Sequence, residues 1–101
     1  MRMRGVCFEG MEKQVRDLTI LCDYKNRHVI LNYYYEEGLI DRDGISFNEI
    51  YVHEGTIYFI KNRKRIVTIN SKKYRNILIG EDFQNYYIMR RDKNRLDIYF
   101  P

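Results

Sequence analysis

Seven cations, Lys61, Arg63, Lys64, Arg65, Lys72, Lys73 and Arg75, stand within residues 61–75 with no acid among them, in a chain that also carries ten tyrosines. Those two residue types together suit the holding of a polyanion. Cationic side chains neutralise phosphates, and flat aromatic rings lie under bases, each stacked base contributing roughly 1 to 3 kcal/mol. Rings are available at Tyr33, Tyr34, Tyr35, Tyr58, Tyr74, Tyr86, Tyr87 and Tyr99. On an alternating strand about half must face the core. Cross-strand pairing places Tyr33 and Tyr87 on apolar sides and leaves Tyr34 and Tyr99 outside, so the candidate contacts are the seven cations with Tyr34 and Tyr99. RNA-recognition and cold-shock aromatic motifs are absent.

Signatures of catalysis are missing as well: there is no Gly-rich phosphate loop, Cys-x-x-Cys, His-Glu-x-x-His or nucleophile elbow. Asp41-Arg42-Asp43-Gly44 matches the middle of a calcium loop, but Leu39 falls where the first ligand belongs and Ile50 where the bidentate carboxylate belongs. That segment reads as a turn. His28 opposite Asp23 reads as a cross-strand surface pair, since no serine or cysteine is placed beside it. No metal, cofactor or small-molecule substrate is expected.

The elements that must position these residues are β-strands. The chain has no Ala, thirteen Ile and ten Tyr, and β-branched and aromatic residues suit strands while Ala suits helices. Lys-Asn-Arg occurs at 25–27, 61–63 and 93–95, each time between apolar runs, and each copy reads as a hairpin tip, because Asn tolerates positive φ. With the first tip at Lys25-Asn26, Cys22, Ile20 and Leu18 face Val29, Leu31 and Tyr33. With the third at Lys93-Asn94, Met89 faces Ile98, Tyr87 faces Phe100 and Arg91 faces Leu96, while Arg90 faces Asp97 and Asp92 faces Arg95. Glu36-Glu37-Gly38 and Asp41 to Gly44 punctuate the chain. Glu54-Gly55 reads as a turn pairing Val52 with Ile57 and Ile50 with Phe59. The strands on either side of the middle triplet read as central and buried on both faces. Residues 71–80 fit a strand ending at Gly80 or a short helix capped by Ser71. Near the start, residues 6–8 suit a short strand and 11–16 a turn of helix.

The expected fold is all-β and mainly antiparallel, a small meander-type barrel or strongly curved sheet of six to eight strands with at most one or two short helices. A length of 101 residues suits one domain, with residues 1–16 loosely attached. Cys7 and Cys22 allow no disulfide framework and read as free thiols, and no apolar run approaches a signal peptide core or membrane span, which points to the cytoplasm. The scarcity of Ala and Pro fits an AT-rich coding genome, such as that of a low-GC bacterium or its phages. Net charge is +4, but residues 36–54 hold six acids and one Arg, so acidic and basic stretches are segregated. These observations support a non-enzymatic binding module, a phage or mobile-element adaptor, inhibitor or modulator of a protein partner or of its own copies. The alternative is a domain for single-stranded nucleic acid or RNA, using residues 61–75 and surface tyrosines.

Overall fold

The segment Arg27–Tyr35 alternates: Val29 and Leu31 are fully buried and Tyr33 packs against the core, while His28 is exposed. This period of two makes it a strand with one face inward. In a computed structural model that describes residues 12–15, 17–74, 76–80 and 85–101, it is strand β2 of nine. The others are β1 (Glu12–Val15), β3 (Gly38–Phe47), β4 (Glu49–His53), β5 (Thr56–Lys61), β6 (Lys64–Asn70), β7 (Asn76–Gly80), β8 (Tyr86–Arg91) and β9 (Asn94–Tyr99). They form two open antiparallel sheets, one in the order β1-β7-β8-β9-β2-β3, the other β4-β5-β6. The expected antiparallel β architecture is present. Its meander order is not, because β2 pairs with β9 and β4 to β6 form a separate sheet; neither sheet closes into a barrel.

One core runs through the inner faces of both sheets. Ile50, Ile57, Phe59 and Ile69 from the smaller sheet join Val29, Leu31, Phe47, Tyr87, Met89, Leu96, Ile98 and Phe100. Phe47 meets Phe59 edge-on at 5.2 Å, and Phe100 stacks on Tyr24 at 3.9 Å with planes 4° apart. The Tyr24 hydroxyl is satisfied by Asn85 and by the Tyr87 hydroxyl.

The first expected hairpin is absent. Leu18–Asp23 is a 3-10 turn capped by Asp17, which accepts from the Thr19 amide, and its Leu21 is buried while the turn packs against β4. Strand β2 pairs instead with Gly38–Phe47 over nine residues. The charges and glycines of that segment resemble turn punctuation, yet an edge strand tolerates them, and they discourage pairing with another chain. The third hairpin turns at Asp92-Lys93, so Met89 faces Leu96, Arg90 faces Arg95, and Asp97 faces Ile88. This slip of two residues keeps every side chain on its expected face while abolishing the expected Arg90–Asp97 and Asp92–Arg95 pairs.

The Glu54-Gly55 turn has the expected register, Val52 opposite Ile57 and Ile50 opposite Phe59. Of the two strands expected to be doubly buried, β5 alternates and β6 is largely exposed at the sheet's edge. Residues 71–80 divide between both readings: Ser71–Lys73 is a 3-10 turn, capped by Asn70 rather than Ser71, and β7 follows. Residues expected to form a turn of helix include β1 (Glu12–Val15), a strand paired with β7. The expected strand at 6–8 lies outside the described residues.

Two-residue turns with both φ values positive join β2 to β3 (Glu36 49°, Glu37 70°), β4 to β5 (Glu54 48°, Gly55 76°) and β5 to β6 (Asn62 54°, Arg63 66°). This is the hairpin geometry that matches strand twist, and it normally selects Asn and Gly. A Glu there carries roughly 1 to 2 kcal/mol of steric cost. Glu37→Gly is expected to raise stability by about 0.5 to 1 kcal/mol after the extra chain entropy of glycine, seen as a higher urea midpoint with unchanged slope.

Candidate nucleic-acid interface

The residues nominated from sequence fall on two surfaces. Lys61, Arg63, Lys64 and Arg65 gather around the β5–β6 turn. Lys72 and Lys73 lie at the other end of β6, about 20 Å away at roughly 3.3 Å per residue, where Ser71 docks on Gly55 through its amide and hydroxyl. Arg75 lies outside the described residues. Tyr34 and Tyr99 belong to the outer face of the six-stranded sheet and are partly buried.

That outer face is built in three cross-strand rows: Ile30, Tyr99 and Tyr86; Asn32, Asp97 and Ile88; Tyr34, Arg95 and Arg90. Asp97, at the centre, is fully buried. Arg95, two residues before it on the same face, grips its carboxylate through Nε at 2.6 Å and Nη2 at 2.7 Å, and the Tyr86 hydroxyl donates to the second oxygen. The guanidinium also lies 4.8 Å from the centre of the Tyr34 ring. Asn32 Oδ1, in the same row as Asp97, is buried without a partner among the described residues. An open depression of about 490 Å³ is lined by the neighbouring row of Tyr34, Arg95 and Arg90, but its cations Arg90, Lys93 and Arg95 are matched in number by Glu36, Glu37 and Asp92. Lys93 is already paired with Glu36 at 2.7 Å. The arrangement holds the sheet's outer face together and leaves Asp97 no access to a ligand.

The outer face of the smaller sheet is different. His53, Tyr51 and Tyr58 form a ladder of rings: His53 stacks on Tyr51 at 6.0 Å with planes 9° apart, and Tyr51 on Tyr58 at 5.9 Å and 26°. The Arg65 guanidinium lies 4.5 Å from the Tyr58 ring centre. Tyr51 is 48 % exposed, and among the described residues no carboxylate forms an ion pair with Arg65. The register makes this ladder: Tyr51 is directly opposite Tyr58, and His53 follows two residues after Tyr51. Sequence reasoning missed Tyr51 and His53 because the strand was read for its apolar residues. The signal was the alternation Glu49, Tyr51, His53 against Ile50 and Val52. Glu49 shares this face, and Glu54 Oε1 lies 3.8 Å from His53 Nε2.

Among the described residues no cluster of His, Cys, Asp and Glu is placed to hold a metal, and no helix is long and apolar enough to cross a membrane. Cys22 is a half-buried free thiol whose pKa burial pushes up; Cys7 lies outside the described residues. No protein-family model, curated protein or solved structure matches the chain.

The Asp97 group predicts both a stability loss and a pH dependence. Asp97→Ala leaves Arg95 and Tyr86 facing an apolar gap and is expected to cost about 3 kcal/mol, the low end for a broken buried pair because Arg95 is partly exposed. Urea unfolding measures it. Burial, then the bond to Asp97, pushes the Tyr86 phenol up to about 12. Between pH 10 and 12 the unfolded chain ionises this phenol while the folded protein keeps the proton, so unfolding releases a proton and becomes easier as pH rises. Stability is therefore expected to fall from pH 10 upward, and less steeply in Tyr86→Phe.

Proposed function

We propose that the protein is a non-enzymatic binding module for single-stranded nucleic acid, with the outer face of β4, β5 and β6 as its platform. The observation that carries this reading is the solvent-facing ladder of His53, Tyr51 and Tyr58, continued by Arg65 towards the cations of the β5–β6 turn. Bases have flat faces that stack on such rings whatever their sequence, and the neighbouring cations neutralise phosphates. Single strands fit better than duplex, whose bases are already stacked on one another. Of the candidates nominated from sequence, Lys61, Arg63, Lys64 and Arg65 serve this surface. Lys72 and Lys73 sit at its far end, and Tyr34 and Tyr99 belong to the opposite sheet.

Fluorescence anisotropy with a labelled 15-nucleotide oligothymidylate tests the reading. Binding is expected at 50 mM salt and to weaken strongly at 200 mM. Tyr51→Ala is expected to weaken it about 5- to 150-fold, the equivalent of one lost stacked base. No binding at 50 mM salt, or wild-type affinity in Tyr51→Ala, contradicts it.

A protein partner or self-association is the second reading, favoured by the β2–β3 hairpin end, where Tyr35, Leu39 and Ile40 are 47, 52 and 68 % exposed. Exposed apolar side chains clustered at one hairpin end suit burial against another protein. Sedimentation at rising concentration tests the self-association version: association lost in Ile40→Asp supports it, and a monomer throughout counts against it.

A further inference from the structure

Two of the three Lys-Asn-Arg segments are held together by a residue outside all of them. Asn48 lies between β3 and β4, where the chain passes from one sheet to the other. Its carbonyl accepts from the Asn26 amide at 2.8 Å, its side-chain Oδ1 accepts from the Asn62 amide at 2.8 Å, and its own amide donates to the Ile60 carbonyl at 2.7 Å. Its Nδ2 donates to Asn26 Oδ1 at 3.4 Å. The middle residue of the first triplet and the middle residue of the second are thus bonded to the same amino acid, although 36 positions separate them.

The cations beside those two asparagines divide into fixed and unengaged. Arg27 donates to the Pro101 carbonyl oxygen at 3.0 Å and lies 5.4 Å from the Tyr24 ring centre; Lys61 donates to Ser46 Oγ at 2.8 Å. Lys25, Arg63 and Lys64 are exposed, and their side chains make no hydrogen bond or ion pair with a described residue. Asp23, two residues before Lys25, and Glu49, beside Asn48, are the acids that neighbour this corner in sequence. Gathering unengaged cations by backbone bonds concentrates positive potential at one end of the ring ladder.

We propose that this corner, organised by Asn48 and carrying Lys25, Arg63 and Lys64, binds the sugar–phosphate backbone of a nucleic acid strand as it leaves the rings of Tyr58 and Tyr51. The proposal rests on the platform reading above and adds the phosphate path to it. The corner contacts phosphates and not bases, so its contribution is independent of sequence and acts through counterion release. The third triplet takes no part. Its Asn94 and Arg95 lie within β9, and Arg95 is committed to Asp97.

The test is the salt dependence of oligothymidylate binding to four proteins: wild type, the double variant Lys25→Gln with Arg63→Gln, the double variant Lys72→Gln with Lys73→Gln, and Tyr51→Ala. Each phosphate contact on a single strand contributes about 0.7 to the slope of log K against log salt. The Lys25/Arg63 variant is expected to lose about 1.4 from that slope, and the Lys72/Lys73 variant to keep the wild-type slope. Tyr51→Ala is expected to bind more weakly with its slope unchanged. An unchanged slope in the Lys25/Arg63 variant, or an equal loss in the Lys72/Lys73 variant, overturns the corner, and a weakened Tyr51→Ala then leaves the platform standing. The reduced slope in Lys25/Arg63 with wild-type affinity in Tyr51→Ala supports the corner and removes the platform. All the substituted cations are exposed, so folding is not at stake.

Discussion

Asn48 is the one residue between Phe47, which ends the edge strand β3 of the larger sheet, and Glu49, which begins the smaller sheet. A chain that changes sheets in one step must satisfy its backbone groups at a sharp corner. The amide and carbonyl of Asn48 reach Ile60 and Asn26, and its side chain reaches the turn between β5 and β6. Phe47 thereby enters the core edge-on against Phe59, and Tyr51 and His53 fall on the solvent side of β4. The position of the ring ladder relative to the basic corner follows from these bonds.

The two outer faces use similar side chains to opposite ends. On the larger sheet Arg95 lies near Tyr34, but a buried carboxylate holds its guanidinium and a tyrosine hydroxyl completes the set. A guanidinium satisfied in this way has little left to offer a ligand, and the value of the group lies in fixing β9 against its neighbours. On the smaller sheet Arg65 lies near Tyr58 and the rings beside it are open. Whether a carboxylate is buried behind the arginine separates a structural face from one suited to binding.

Face assignments were legible in the sequence further than partners were. Val29, Leu31, Tyr87 and Met89 were all assigned inward and are inward, because a period of two depends only on the strand itself. Their partners depend on turns. Asp92-Lys93 takes the third turn one residue earlier than Lys93-Asn94, which shifts the register by two, and Asp17 caps a 3-10 turn where a strand was expected. The punctuation at Glu36-Glu37-Gly38 is a hairpin turn, although Glu disfavours positive φ, whereas the punctuation at Asp41 to Gly44 lies inside strand β3. Of the candidate site, the cations at 61–65 were visible as a run. The ladder was not, because stacking of Tyr51 on Tyr58 requires the register of two strands, and neither was the meeting of the first two triplets, which depends on Asn48.

The proposed path takes a nucleic acid strand along the smaller sheet's outer face and off it over the Asn48 corner. Amide chemical-shift mapping of the labelled protein with an unlabelled oligothymidylate tests it most directly. Shifts are expected at Tyr51, His53, Tyr58 and Arg65 together with Lys25 and residues 61–64, while Tyr34, Arg95 and Asp97 stay in place. Shifts confined to Tyr34 and Arg95, or to Leu39 and Ile40 on the β2–β3 hairpin, would contradict it.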